Sequence, residues 1–139
     1  MKPVINVASA PQVEVSSGEY FQATMRRLAA PLGAQRIGAN VTTVPPRKAA
    51  FPFHHHHANE EHFFVLSGTG VLRYGDEWHE VGPNDYIYCQ PGTAEHAHQL
   101  VNSGGRTAKV MSVEVKSAGG TALAVERNSL RYVHGQSTI

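Results

Sequence analysis

Turn-forming residues punctuate this sequence closely from Gly33 onward: Gly38, Pro45-Pro46, Pro52, Gly68, Gly70, Gly75, Gly82-Pro83, Pro91-Gly92, Gly104-Gly105 and Gly119-Gly120. The runs between them are short and rich in Val, Ile, Thr, Tyr and Phe. Ile37 to Val44, Phe63 to Leu66, Gly70 to Tyr74, Trp78 to Val81, Tyr86 to Cys89, His98 to Val101 and Lys109 to Val115 are examples. Glycine and proline allow chain reversals, and β-branched and aromatic side chains suit a pleated, half-buried surface. Short strands at regular spacing predict an all-β sandwich or barrel rather than alternating helix and strand. Val71 to Val81 reads as a hairpin folded at Gly75-Asp76. Met111, Val113 and Val115 alternate with Ser112, Glu114 and Lys116, as in a half-buried strand.

The ends are less regular. Residues 1–17 are short of apolar runs and broken by Pro3 and Pro11, which predicts an arm or edge strand. Ser16 and Glu19 have capping-box spacing, and Phe21, Met25 and Leu28 have helical spacing. An irregular strand fits the same window. The expected organisation is an N-terminal arm over residues 1–32, edge strand or short helix and a contact for a second copy, then a barrel over 33–116. Residues 117–139 follow as a C-terminal tail, with Leu123 to Val125 and Leu130 to Val133 as terminal strands.

A chain of 139 residues fits one domain and can bury a core without staples. Net charge is +1, and Arg26-Arg27 and Arg47-Lys48 are the only basic pairs, which argues against nucleic-acid and anionic-membrane partners. Cys89 is the single cysteine, so no internal disulfide forms. The N-terminal residues lack the apolar core of a signal peptide, and no stretch approaches a membrane span. A cytoplasmic protein is the expectation.

Chemistry concentrates in Pro52-Phe53-His54-His55-His56-His57-Ala58-Asn59-Glu60-Glu61-His62, just before the strand-like Phe63 to Leu66. Residues i and i+2 of a strand share a face, so the run offers His54 with His56 on one face and His55 with His57 on the other. Two imidazoles and a following carboxylate, Glu60 or Glu61, make a facial set suited to Fe, Mn, Co, Ni, Zn or Cu. A second pair, His96 and His98, precedes another apolar stretch. An isolated histidine is usually only a packed or solvated side chain. Four in a row with carboxylates behind them and a second pair downstream are better explained by one metal ion between the clusters.

These residues resemble the cupin superfamily. Its first motif has two histidines one residue apart, three or four residues, a glutamate, six residues and a glycine. His54, His56, Glu61 and Gly68 fit, and so do His55, His57, Glu61 and Gly68. The wider stretch Phe51 to Glu61 looks like small single-domain cupins whose first ligand stands two residues after the proline, which favours His54 and His56. In the second motif Gly82-Pro83-Asn84-Asp85 looks like the family's Pro-Gly-Asp turn, with Asn84 in the glycine place, and asparagine is the non-glycine best suited to left-handed backbone. His98-Gln99-Leu100-Val101-Asn102 has the family's histidine-to-asparagine spacing. The gap from Gly92 to His98 is longer than the pattern, which leaves His96 as a rival.

The resemblance implies a double-stranded β-helix, or jelly-roll barrel, of six to eight strands, paired as a homodimer. It implies one divalent transition metal on His54, His56, Glu61 and His98 at the barrel mouth, beside an apolar wall of Phe63, Val65 and Leu100. Cupins include enzymes and binding proteins, so two functions stay open. One is a metalloenzyme of dioxygenase or isomerase type acting on a small oxygen-bearing molecule. The other is a non-catalytic binding or sensor module. A metal-free epimerase-like site is a third reading, disfavoured by four well-spaced ligands. Arg73 and Gln90 are candidates for holding a polar substrate, and Tyr86 or Tyr88 for lining the pocket. Cys89 reads as core, and His79 and His134 have no partner cluster.

Overall fold

The computed structural model describes residues 2–116 and the backbone of 122–124. Eleven strands are described: β1 (Gln12–Ser17), β2 (Phe21–Arg27), β3 (Ile37–Val44), β4 (His54–His56), β5 (Glu60–Ser67), β6 (Gly70–Tyr74), β7 (Glu77–Val81), β8 (Tyr86–Cys89), β9 (His98–Val101), β10 (Ala108–Val115) and β11 (Ala122–Ala124). They form two antiparallel sheets, ordered β1-β2-β3-β10-β5-β8 and β11-β4-β9-β6-β7. Residues 33–116 supply eight of the strands, and β1, β2 and β11 bring the count above the six to eight expected. Leu130 to Val133 and His134 lie outside the described residues.

The helical option for Phe21 to Leu28 is corrected. Phe21–Arg27 is strand, paired with β1 on one side and β3 on the other. Phe21 and Met25 also belong to an i, i+2 series with Ala23, and Phe21 and Ala23 are buried. Pro31 and Gly33 leave too few residues for a helix to stand without packing, whereas a strand here completes the sheet.

The core between the sheets follows the alternation. Phe63 and Val65 of β5, Leu72 of β6, Ile87 and Cys89 of β8, Leu100 of β9 and Val110 of β10 form one buried cluster. The predicted hairpin is present: Tyr74 pairs with Glu77, leaving Gly75-Asp76 as the turn, with Gly75 at φ +56°. Asn84 does take up left-handed backbone, at φ +73°. Asp85 Oδ2 accepts the Gly82 amide at 2.7 Å and closes that turn.

The second half of strand β10 is turned over relative to the usual half-buried pattern. Ser112 pairs with the inward Phe63 and Glu114 with Glu61, so Ser112 and Glu114 face the interior. Met111, Val113 and Val115 lie on the outer face, and Val115 is exposed.

Asn102, just past β9, is a structural clamp. Its Nδ2 donates to Val44 O at 2.9 Å and Arg106 O at 2.8 Å, and its Oδ1 accepts the Gly104 amide at 3.0 Å. The side chain is 2% exposed, so truncation strands buried backbone groups that water does not reach. Asn102→Ala is expected to cost about 2–4 kcal/mol, read by chemical denaturation of the metal-free protein. A loss below about 1 kcal/mol would remove the clamp role.

Candidate metal centre

Strand β4 is only three residues long. It lies antiparallel to β9, with His54 opposite His98. The pleat sends His54 and His56 to the same side, and Glu61 reaches the same point from β5 in the other sheet. One ligand atom from each of His54, His56, Glu61 and His98 lies within 4.8 Å of the others. Glu61 Oε1 is 2.7 Å from His98 Nε2, 3.2 Å from His56 Nε2 and 3.6 Å from His54 Nε2.

Hydrogen bonds at the far side of two rings fix their orientation. His54 Nδ1 is 2.8 Å from Pro52 O, and His98 Nδ1 is 3.2 Å from His96 O. A carbonyl only accepts, so each Nδ1 carries the hydrogen and a neutral ring presents its Nε2 lone pair to the centre. His56 lies between two carboxylates. Its Nδ1 is 3.3 Å from Glu114 Oε2, and both its ring nitrogens are buried without hydrogen-bond geometry to any partner among the described residues. Three imidazoles and a carboxylate oxygen converging on one point form a donor set that fits a divalent transition metal.

The electrostatics match. Burial opposes ionisation of Glu61, but the rings of His54, His56 and His98 outweigh it and hold the carboxyl well below its usual range. The Glu61 carboxylate raises the pKa of His56 against burial, and the charge of Glu114 adds to the rise.

The other histidines are elsewhere. His55 is buried on the opposite face with Nδ1 3.1 Å from Gly92 O, and burial lowers its pKa. His57 is exposed beside it. His96 ends a short 3-10 turn, Ala94–His96, and its Nε2 accepts from the Gln90 amide at 2.9 Å. The longer gap before His98 thus builds a turn whose last carbonyl orients the His98 ring. His62 faces outward, with Tyr86 Oη 2.6 Å from its Nδ1 and Tyr88 stacked on its ring. His79 pairs with Glu77 on the surface.

Four other expectations resolve. Tyr86 and Tyr88 are exposed and are not part of the cavity wall beside His54 and Glu61. Arg73 and Gln90 are not part of the cavity wall: the Arg73 guanidinium lies 3.8 Å from the centre of the Phe53 ring. Cys89 is core, 1% exposed, and burial pushes its thiol up. Val65 lies in the core beneath the cavity rather than in its wall.

A cavity of about 300 Å³ opens beside His54 and Glu61. Phe51, Phe63, Leu100 and Val110 form its apolar wall, and Asn40, Thr42, Ser112 and Glu114 its polar one. Sequence reasoning missed Phe51, stacked on Phe63 at 5.8 Å, and Glu114. The signal for Glu114 was its shared parity with Ser112.

Among solved structures, a sugar phosphate isomerase from a cupin superfamily, of Silicibacter pomeroyi DSS-3, is similar at 20% identity and TM-score 0.77, over 91% of this chain and 83% of that one. The polyketide cyclase RemF of Streptomyces resistomycificus is similar at 23% identity and TM-score 0.75, over 96% of this chain and 94% of that one. The fold is the double-stranded β-helix of these proteins. Mannose-1-phosphate guanylyltransferase RfbM of Salmonella typhimurium strain LT2 is 32% identical over 74 residues, which is 53% of this chain and 14% of that protein. The chain thus spans about one seventh of that curated relative. The Cupin_2 family model, a cupin domain, matches residues 40–114. With that match laid over most of the barrel strands and all four converging side chains, the chain belongs to the cupin family.

Proposed function

We propose that this protein is a metal-dependent cupin that holds one divalent transition metal on His54, His56, Glu61 and His98 and takes a small oxygen-bearing molecule into the adjoining cavity. The observation that carries this reading is the convergence of three imidazole nitrogens on one half-buried carboxylate oxygen, with His56 Nε2 left without hydrogen-bond geometry among the described residues. Bound there, the metal supplies Lewis-acid polarisation of a ligand oxygen or, if redox-active, electrons for O₂. The chain's own groups do the rest. Pro52 O and His96 O hold two rings in their ligating tautomer, and Phe51, Phe63 and Leu100 keep water from one side of the ligand. The family names of the similar structures span isomerase and cyclase. Dioxygenation and isomerisation are the favoured reaction types.

Protein purified without a nickel column is expected to carry close to one equivalent of metal by elemental analysis. His54→Ala is expected to lose it and His55→Ala to keep it. Loss in His55→Ala with retention in His54→Ala would overturn the ligand set. O₂ consumption and product analysis on iron-loaded protein, with catechols, diketones and keto acids, separate enzyme from binding module.

A further inference from the structure

The cavity's charged groups are unevenly placed. Apart from the ligands, its wall carries Glu114, Arg27 and Lys116. Arg27 ends β2 and pairs with Asn40, which pairs with Ser112. It therefore stands on the row of residues that crosses the cavity floor, and its neighbour Arg26 points the other way, donating to Ala10 O. Lys116 continues the inward parity of Ser112 and Glu114 past the end of β10. Its Cε lies 3.6 Å from where a side chain on Gly38 would begin, so the missing side chain leaves its stem a place to lie. Among the described residues neither the guanidinium nor the ammonium has a hydrogen bond or ion pair. Two exposed cations, without a partner among the described residues, line one cavity.

We infer that the ligand of this site is an anion: a small molecule whose carboxylate or phosphate group lies between Arg27 and Lys116 while its neutral oxygens face the metal. This deepens the metal reading and rests on it. With a divalent ion in place, Glu61 and Glu114 cancel its charge, and Arg27 and Lys116 leave the cavity net positive. Strand β2 is three strands from β5, about 14 Å of sheet, shortened from both ends by the side chains. The row between them carries Asn40 and Ser112, with Met25, Thr42 and Val110 beside it. The ligand therefore has chelating oxygens at one end, a negative group at the other and a short middle that meets both polar and apolar side chains. Arginine offers two parallel donors to either oxyanion, and lysine adds a point charge.

The test uses three probes with one catechol head: 3-(3,4-dihydroxyphenyl)propionate, its carboxamide and the matching phosphonate. Affinities are measured by calorimetry on metal-loaded wild type and on Arg27→Gln, Lys116→Gln and the double variant. In wild type at least one anionic probe is expected to bind ten times or more tighter than the carboxamide, and the better anion identifies carboxylate or phosphate as the natural group. In the double variant that ratio is expected to fall to about one, with carboxamide affinity and metal content unchanged. Equal binding of all three by wild type, binding of none, or a ratio that survives the double substitution would overturn the inference. Failure of the metal reading shows separately, as absent metal. The same probes on metal-free protein, followed through the Gly38 and Asn40 amide resonances, then decide the anion subsite: shifts with the anions alone support it, and shifts with none or with all three refute it.

Discussion

Glu61→Gln is expected to lower metal affinity more than a hundredfold, about 2.8 kcal/mol or more, while keeping the fold. The substitution preserves shape and removes the one negative donor on which three rings converge. It also changes the pH dependence. In the metal-free protein Glu61 raises the pKa of His56, so around and below neutral pH a proton competes with the ion for that ring. Metal affinity of the wild type is expected to fall with falling pH, by about tenfold per unit for each proton displaced. Calorimetry in buffers of different ionisation enthalpy counts the released protons, and the Gln variant is expected to release fewer near neutrality. Unchanged affinity in that variant would remove Glu61 from the ligand set.

The same groups link metal-free stability to pH. Glu61 titrates below its ordinary value of 4.5 when folded. Its contribution is complete above that value and is lost as pH falls through the folded pKa. His56 titrates above 6.5. Its contribution is present below 6.5 and is lost as pH rises through the folded value.

Gly68→Ala is expected to be the most damaging single methyl group. Gly68 follows β5 at φ +81°, and an added Cβ would stand 2.6 Å from Ala108 Cα and 2.7 Å from Thr107 O. Left-handed backbone alone costs about 1–2 kcal/mol outside glycine. Here two backbone atoms at the start of β10, Thr107 O just before it and Ala108 Cα, must move as well. A total loss of about 3 kcal/mol or more is expected, a fall of about 10 °C in Tm for a domain this size. Gly18→Ala is the control. It has φ +68° and nothing within 4 Å, and so is expected to lose only about 1 kcal/mol. Equal losses at the two sites would show that crowding against β10 is not the cause. The glycine that closes the family's first motif is thus required by the approach of a neighbouring strand, as well as by its own torsion.

The fold was legible because every turn residue and every alternating run pointed the same way. The site was legible only up to symmetry. In His54-His55-His56-His57 two pairs satisfy the same period, and nothing local separates them. What decides is distant: β4 pairs with β9 so that His54 meets His98, and Gly92 O accepts His55 from the other side. The helical spacing of Phe21 and Met25 misled for a related reason, since i, i+4 is also twice i, i+2. Glu114 was hidden because alternation shows that two faces differ without showing which one faces the core. Over the second half of β10 the polar residues, Ser112 and Glu114, face the cavity.

That reversal has a use. The four converging side chains come from β4, β5 and β9, whereas Asn40, Thr42 and Ser112 of the facing wall come from β3 and β10. The converging side chains and the polar wall that faces them therefore lie on separate segments of chain, while Phe63 of β5 and Leu100 of β9 belong to the strands of the former. A descendant of this protein could exchange that polar wall without disturbing the four side chains that converge.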